Sequence, residues 1–406
     1  MSRQRTGSYP SAASRANSAP YTYAGGGGVA LPSWLGSTPV LGWVDVPGTL
    51  MSAAGVPTVN PYAKAASEVV DTWNSYAFNH VAAKAIGPGN GGHTNSACNA
   101  VVECALGQTP GWLERVVSSA QSAIELESAQ TSGPTYTDGR PRSAHSYVTP
   151  FWIGKANRVF LFGQGAVWSG GGVTSDMFAW VDGASDWENT SGNYQLWGQL
   201  LGTQTESARA ICKHFVSEDI YYTAQPSGTS TLYKWSITGT TPGSASHTNL
   251  GATGGGTPFN AAYYASAVDH TRNRIVFWRG DGGGGPSTTV YIYDIAGASW
   301  STATLTGAAA ATITAAGNYQ GFQYSAVTDL FYTRLRAQSG GTIYAINPST
   351  FAVTAPSTTG GSGIGADVNG PQNRFLYTPE LVPGSSVGGI FYHPTYSELF
   401  RFLRLH

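Results

Sequence analysis

A two-hairpin module constrains the fold of this chain more than any other feature, because it occurs twice in close copy. Residues 144–187 and 261–300 each begin with a strand of small and aromatic residues and a turn in which a basic residue precedes Asn-Arg. An apolar strand ending near glycine, a Gly-rich loop, an aromatic strand containing Asp and a closing Trp follow in both. Short apolar runs between Gly, Ser, Asn and Pro turns predict β-strands. The turn residues are Lys155, Asn157 and Arg158 in the first copy and Arg272, Asn273 and Arg274 in the second.

Weaker copies of the module extend over most of the chain. Taking Ala144, Ala208, Ala261 and Gly321 as starts, successive copies begin between 53 and 64 residues apart. A repeat of this length with four strands is typical of a kelch-type β-propeller, whose period is about 50 residues. The weaker copies span residues 79–116, where the module is shortened, and residues 208–237, 321–353 and 373–403.

The propeller prediction has a physical basis in burial. A single four-stranded blade leaves both of its faces in water, whereas blades stacked around an axis bury each face against the next. We therefore predict an all-β, kelch-like propeller of about six four-stranded blades over residues 41–406. Strands from the two ends of the chain could combine in one blade and so close the ring. A β-solenoid or two stacked sandwiches remain as alternatives. Closing tryptophans are expected to fill the wedges between blades, namely Trp112, Trp187 and Trp300.

Residues 1–40 have a different character. They contain Arg3, Arg5 and Arg15 and the run YAGGGG, and no acid occurs before Asp45. Such a segment cannot build a core of its own, so we expect an extended arm held by a neighbouring subunit. Arg outnumbers Lys by 16 to 5 in the chain, which is typical of buried interfaces but also of a codon bias.

Composition excludes several classes of protein. Glycine accounts for 53 of 406 residues and charged residues for only 11%, while 12% of residues are aromatic, so the chain can form a core. The net charge of −1 gives no field that would attract nucleic acid or membranes. No apolar run is long enough for a membrane span, and no secretion signal is apparent. Two segments, residues 61–73 and 115–130, are possible short helices.

Four motifs resemble those of kelch-like propeller proteins from tailed bacteriophages and some bacteria. They are GWVDVPGT at residues 42–49, GPGNGGHTNSACNAVVECAL at 87–106, YTDGRPRSAHSYVTPFWIGKANRVFLFG at 136–163 and GGIFYHPTYSELFRFLRL at 388–405. The resemblance implies a structural component of a phage virion, such as a tail nozzle or hub protein in a homo-oligomeric ring below the portal. Portal, adaptor or other tail proteins would be its partners. The protein would be made in the host cytoplasm, reside in the virion and not be an enzyme.

The histidines do not suggest a metal site. Galactose oxidase, the best-known enzyme on a kelch-type propeller, uses copper, but the eight histidines of this chain show no ligand spacing, so we expect no metal and no cofactor. His93 in the Gly-Gly-His turn and His145, two residues before Tyr147, occupy motif positions. We expect their rings to bond to backbone carbonyls and hold turns between blades. The three cysteines, Cys98, Cys104 and Cys212, are predicted to be small buried hydrophobes.

An alternative function is a carbohydrate-binding adhesin, or a sugar-active enzyme, that recognises a host-surface glycan. Trp168 is one candidate for stacking on a sugar, together with Trp152, Trp180 and Trp278, although each is also compatible with packing between blades. The arginine pairs Arg140/Arg142 and Arg334/Arg336 alternate along extended segments, which we expect to be solvated. Acids such as Asp182, Asp186, Glu218 and Asp219 are expected to cap their own turns.

Overall fold

The computed structural model is an assembly of short antiparallel sheets. Five sheets have four strands and one has three. The structure describes residues 29–58, 65–93, 95–124, 133–169, 172–188, 195–201, 210–224, 231–252, 264–279, 287–315, 319–367 and 369–406. The interaction candidates Arg3, Arg5 and Arg15 lie outside these residues.

Each sheet is one blade, numbered here in chain order. Blade 1 contains β2 (Ala77–Asn79), β3 (Lys84–Pro88), β4 (Val101–Ala105) and β5 (Gly111–Val116). Blade 2 contains β6 (Pro150–Ile153), β7 (Arg158–Gln164) and β8 (Thr174–Val181). Blade 3 contains β9 (Ile211–Lys213), β10 (Ile220–Ala224), β11 (Thr231–Ile237) and β12 (Ala245–Ala252). Blade 4 contains β13 (Tyr264–Asp269), β14 (Arg274–Arg279), β15 (Thr289–Asp294) and β16 (Ser299–Thr304).

The last two blades complete the chain. Blade 5 contains β17 (Gly321–Ser325), β18 (Leu330–Arg334), β19 (Tyr344–Ile346) and β20 (Val353–Thr354). Blade 6 contains β21 (Phe375–Thr378), β22 (Gly389–Tyr392), β23 (Arg401–Arg404) and, as its outermost strand, β1 (Trp43–Asp45) from the beginning of the described chain. In the register of that pair, Val44 lies opposite Phe402. The two ends of the chain therefore share one blade and close the ring.

Six apolar clusters between successive blades show that the blades form a closed circle. Each cluster takes residues from two neighbouring blades, and the sixth joins blade 6 to blade 1. Large apolar groups removed from water in this way are the main stabilising term of a propeller. Each cluster contains at least one aromatic side chain that is fully or almost fully buried. In order from the blade 1/2 interface to the blade 6/1 interface, examples are Trp180, Trp235, Phe277, Trp278, Tyr392 and Phe402.

Burial on both faces explains why the second strand of each module is continuously apolar. In β14, Ile275 and Phe277 pack toward blade 3, while Val276 and Trp278 pack toward blade 5. Successive side chains of a strand point to opposite faces, so a strand buried on both faces has no polar positions to alternate with.

The recurring Asn-Arg pair is explained by the hairpin turn that it occupies. Asn157 and Asn273 both have left-handed backbones, with φ of 53° and 48°, a conformation that Asn tolerates better than most residues. The following arginine opens the next strand and pairs with an acid: Arg274 Nε lies 3.0 Å from Asp269. The pair thus combines a turn residue with an anchor for the strand.

These observations confirm the predicted all-β propeller of six blades and the blade shared by the termini. Two details differ from the prediction. The sheet of blade 2 has three strands, with an isolated bridge between Asp176 and Gln199 beside β8, and the copy predicted to be shortened, at residues 79–116, is a complete blade.

Helices are short throughout the described residues. They are α1 (Met51–Ala54), α2 (Glu68–Asp71) and α3 (Ala310–Ala315). Of the two segments predicted as possible helices, residues 61–73 contain α2, whereas residues 115–130 contain only a single 3-10 turn at Gln121–Ala123 in their described part. No helix in the described ranges has the length and apolar character that crossing a membrane requires.

Candidate functional site

The segments that precede the inner strands come together at one end of the propeller axis. In a propeller the innermost strands of all blades run in the same direction, so the residues before β2, β6, β17 and β21 lie at one end. Residues 73–76, 145–149, 319–320 and 370–374 occupy these positions. This end therefore contains the His145/Tyr147 motif identified in the sequence.

Aromatic rings from opposite blades meet across the axis at this end. The Tyr147 ring, before blade 2, stacks on the Tyr319 ring, before blade 5, with centroids 6.1 Å apart and planes 14° apart. The Trp73 ring lies near residues from both of these segments, with its centroid 5.1 Å from that of His145 and 6.5 Å from that of Tyr319. Because blades 2 and 5 are opposite in a ring of six, these rings cover the axis. We call Trp73, His145, Tyr147 and Tyr319 the aromatic cap.

His145 is held in a neutral form within the cap. Its Nε2 lies 3.0 Å from Asn95 Oδ1 and its Nδ1 lies 3.2 Å from the Tyr147 hydroxyl. The amide oxygen accepts only, so Nε2 carries the proton and Nδ1 accepts from Tyr147. Burial, with a smaller contribution from His93, lowers the pKa of His145 to about 3. The expected bond from the His145 ring to a backbone carbonyl is replaced by these two side-chain partners.

The Gly-Gly-His turn brings blade 1 against the segment that leads into blade 2. Gly92 has φ of 87°, and a Cβ atom placed on it would lie 2.4 Å from the His145 backbone nitrogen and 2.5 Å from the Ala166 carbonyl oxygen. Only glycine combines this backbone conformation with so close an approach. The next residue, the exposed His93, donates its backbone N–H to the Ala166 carbonyl oxygen at 2.6 Å. The His93 backbone thus contributes to this turn, and its ring stacks toward His145 with centroids 6.3 Å apart.

Three of the four cap residues have strained backbones. Trp73, Tyr147 and Tyr319 are in the left-handed region, with φ of 49°, 43° and 67°, and the adjacent His93 has φ of 45°. Non-glycine residues in this region cost about 1–3 kcal/mol each and persist where the surrounding structure fixes them, which is common at functional sites. The cap is therefore a candidate site on conformational grounds as well as by composition.

A polar network lies beneath the cap, and sequence reasoning did not identify it. The Ser146 hydroxyl donates to Asn90 Oδ1 at 2.8 Å, and the Asn90 amide donates to the Ser75 carbonyl oxygen at 3.0 Å. The Ser146 N–H donates to Asn74 Oδ1, and the Asn373 amide reaches from blade 6 to the Val148 carbonyl oxygen at 3.0 Å. The only sequence signal was the presence of Asn and Ser immediately before predicted inner strands.

The three closing tryptophans lie at interfaces between blades. Trp112 is in β5 and contacts His393 and Phe400 of blade 6, with its Nε1 donating to the Thr49 carbonyl oxygen at 2.7 Å. Trp187 is buried in the blade 1/2 cluster. Trp300 packs in the blade 3/4 cluster, 5.1 Å from the Tyr293 ring centroid.

The tryptophans proposed to stack on a sugar are all buried. Trp180 and Trp278 lie in clusters between blades, as does Trp152. Trp168 packs with Tyr136 and Ile124 in a separate cluster beside blade 1. None of the four is more than 2% exposed. Packing, the alternative stated for each of them, therefore describes all four.

Two arginines predicted to be solvated are buried instead. Arg142 is 2% exposed and donates from Nε to the Thr135 carbonyl oxygen at 3.0 Å. Arg334 is completely buried, donates to the carbonyl oxygens of Gly340 and Thr342, and lies over the Tyr392 ring. The expectation failed because a guanidinium can be buried when several carbonyl oxygens accept its N–H groups.

Of the four acidic residues predicted to cap their own turns, Asp186 accepts the backbone N–H of Trp187 at 2.8 Å and Asp219 accepts from the Ser217 hydroxyl at 2.9 Å, both within the local turn. The other two, Asp182 and Glu218, act between blades. Lys84 of blade 1 lies 2.6 Å from Asp182, which follows blade 2. Glu218, in the first turn of blade 3, accepts the backbone N–H groups of Gly154 and Lys155 in blade 2, both at 2.7 Å. Asp182 and Glu218 therefore connect neighbouring blades, and no sequence pattern indicated their partners.

A cavity follows the axis from beneath the cap to the opposite end. It has a volume of about 110 Å³ and is lined by the first strand of every blade. Tyr76 and Asn373 lie at the cap end, whereas His80, Phe215 and His270, which follow the inner strands, lie at the other. The ring centroids of Phe215 are 4.3 Å from His80 and 6.0 Å from His270.

Neither the cap nor the cavity contains an evident metal site. In the described residues, no group of three or more His, Cys, Asp or Glu side chains has the arrangement to hold a metal ion. The cysteines are free and buried, as predicted, and burial raises the pKa of the Cys98 thiol to about 11. A thiol in that state is a weak nucleophile near neutral pH.

Comparisons with known proteins give no family assignment. No family model matches the chain, and no curated protein matches it. Among solved structures, a chain in the crystal structure of a nidogen/laminin complex is similar to 71% of this chain over 86% of its own length, with 7% sequence identity and a TM-score of 0.37. The six-bladed architecture therefore rests on the strand pairing and the packing between blades described above.

Proposed function

We propose that the protein is a structural component of a bacteriophage virion, a tail nozzle or hub protein that assembles into a homo-oligomeric ring below the portal. Portal, adaptor or other tail proteins would contact this ring. The residues 1–40, with Arg3, Arg5 and Arg15, would lie across a neighbouring subunit, since a ring requires one patch on each copy to meet a different patch on the next.

One observation carries the proposal. Two of the four motifs that resemble those of phage propellers, the Gly-Gly-His turn and residues 138–147, pack against each other through Gly92, His93 and His145. Most of their side chains serve this packing, because Arg142, Ser143 and His145 are buried and hydrogen-bonded. Motif residues used in this way support a rigid scaffold, which is what a virion component requires.

Mass measurements test the proposal. We expect the purified chain to form an oligomer of defined mass in solution or on phage particles, and we expect the protein to be found in purified virions. Replacing Arg3, Arg5 and Arg15 together by Gln should reduce assembly while circular dichroism remains unchanged. A strictly monomeric protein that is absent from purified virions would overturn the proposal.

A carbohydrate-binding role is a second candidate, and the aromatic cap favours it. Trp73 and Tyr319 are only half-buried, and the guanidinium of the half-buried Arg336 lies 5.3 Å from the Tyr319 ring centroid. Aromatic faces next to a polar group are typical sugar-binding surfaces. A host-surface glycan would therefore bind at the cap rather than at the four tryptophans considered from the sequence.

Glycan-array binding separates this candidate from the first. If it holds, the protein binds a glycan, and Tyr319→Ala or Arg336→Gln abolishes binding while the exposed-residue control Leu113→Ala does not. Absence of binding to every host glycan on the array contradicts it.

A further inference from the structure

The axial cavity is lined by a lysine that forms no ion pair with a carboxylate in the described ranges. Lys213, the last residue of β9, lines the cavity, and its Nζ donates to the Trp152 carbonyl oxygen at 2.8 Å. No Asp or Glu is among the described lining residues. An ammonium group has three N–H donors, so two of those on Lys213 remain available.

Glu218, the acid whose field acts on Lys213, accepts its hydrogen bonds from other groups. Burial lowers the pKa of Lys213, and the field of Glu218 partly opposes this. However, both carboxylate oxygens of Glu218 accept backbone N–H groups, from Gly154 and Lys155. A cation with this degree of desolvation and no ion pair is costly, and a bound anion would remove the cost.

Two imidazoles provide further unsatisfied polar atoms near this charge. His80 Nδ1 and His270 Nδ1 are buried and have no hydrogen-bond partner in the described part of the chain. All three groups lie close to the Phe215 ring. Its centroid is 5.8 Å from Lys213 Nζ, 4.3 Å from the His80 ring and 6.0 Å from the His270 ring. Burial lowers the pKa of both histidines to about 3, and Lys213 contributes to this. Each ring is therefore neutral and can present one N–H donor.

We propose that the axial cavity is a binding site for one small oxyanion or short carboxylate, held by the Lys213 ammonium group and by N–H donors of His80 and His270. The cavity volume of about 110 Å³ has room for several water molecules, so inorganic phosphate or acetate fits beside the Lys213 ammonium group. This site is independent of the virion role, because it requires only the closed propeller.

Calorimetric titration of the full chain with inorganic phosphate, and separately with acetate, tests the proposal at constant ionic strength. We expect saturable binding of one anion per chain for at least one of the two, with a dissociation constant of about 1 mM or lower. Binding of phosphate alone would indicate an oxyanion site, and binding of acetate alone a carboxylate site. If neither titration is saturable, the proposal is wrong.

Substitution of the lysine provides the second arm of the test. Lys213→Met keeps an unbranched side chain only one atom shorter and removes the ammonium group, so we expect binding to weaken at least ~10-fold. The matched control is Lys234→Met in β11, which does not line the cavity and should bind as the wild type does. Anion-dependent stabilisation in thermal unfolding gives an independent readout, since a ligand that binds only the folded state raises Tm. If the anion binds or stabilises Lys213→Met as strongly as the wild type, the assignment to this cavity is overturned.

Discussion

Individual residues in the motifs are constrained by close approach of backbones rather than by chemistry. Gly92 and Gly183 illustrate the difference, because they have almost the same backbone angle, with φ of 87° and 86°. A Cβ atom on Gly92 would collide with backbone atoms of His145 and Ala166, whereas nothing lies within 4 Å of one on Gly183. A side chain added at either position would therefore meet the same backbone strain, but only a side chain at position 92 would also collide with neighbouring atoms.

Replacing Gly92 by alanine should destabilise the protein more than replacing Gly183. Gly183→Ala adds only left-handed backbone strain, about 1–2 kcal/mol. Gly92→Ala adds the collision and breaks the contact between blades 1 and 2, so we expect a loss of about 3 kcal/mol or more. Urea unfolding of the two variants measures the difference. Equal losses would show that the approach at Gly92 relaxes without cost.

At the level of elements, the pairing of β1 with β23 determines whether the ring is closed. Phe402 in β23 is fully buried, with its ring centroid 4.8 Å from Phe391 in the same blade and 5.7 Å from Trp34, which precedes β1. Trp34 Nε1 in turn donates to the Gly107 carbonyl oxygen of blade 1 at 2.9 Å. The closing strand is thus fixed to both blade 6 and blade 1.

Truncation of Phe402 should open this closure. We expect Phe402→Ala to lower the free energy of unfolding by about 3–5 kcal/mol, because it removes a buried ring and leaves a cavity. Leu113→Ala in the outer strand β5 is the control, and since Leu113 is 46% exposed its effect should be within about 0.5 kcal/mol. Chemical denaturation measures both. A small effect of Phe402→Ala would mean that the termini contribute little to closure.

For the whole molecule, buried neutral histidines link stability to pH. His393 is completely buried, receives a hydrogen bond from the Tyr76 hydroxyl at Nδ1 and donates from Nε2 to the Glu398 carbonyl oxygen. Burial, followed by the charge of Arg374, lowers its pKa to about 3. His145 in the aromatic cap is in the same state. The unfolded chain binds protons at these residues below about pH 6.5, and the folded chain does not.

Stability should therefore decrease as the pH falls from about 6.5 toward 3. Each such histidine contributes a slope of about 1.4 kcal/mol per pH unit over this range. We expect His393→Gln, which retains one donor and one acceptor, to reduce the slope by about one histidine's share, although it lowers stability at pH 7. Urea unfolding at several pH values measures both slopes. An unchanged slope in the variant would show that His393 is protonated in the folded state.

The amino-acid sequence alone predicted the propeller architecture, while the packing between blades excluded the solenoid and the stacked sandwiches. The module repeats, the turn residues Asn157 and Asn273 and the continuously apolar second strands follow from local conformational preference and from burial on both faces, so they can be read along the chain. The first strands of the four modules with stated starts begin six, three, three and zero residues after those starts, at Pro150, Ile211, Tyr264 and Gly321. The burial of the three cysteines was also predictable, because a free cysteine behaves as a small hydrophobic residue.

The tertiary structure decided everything that depends on residues distant in the chain. The stack of Tyr147 on Tyr319 and the placement of Lys213 beside the axial cavity arise because a closed ring brings six first strands to one axis. The contact of the Arg334 guanidinium with the Tyr392 ring likewise requires two neighbouring blades. A sequence pattern records which residue types alternate along a strand, but it does not record which side chains from different blades face one another. Desolvation and hydrogen-bond partners, and with them the candidate sites, are set by that second property.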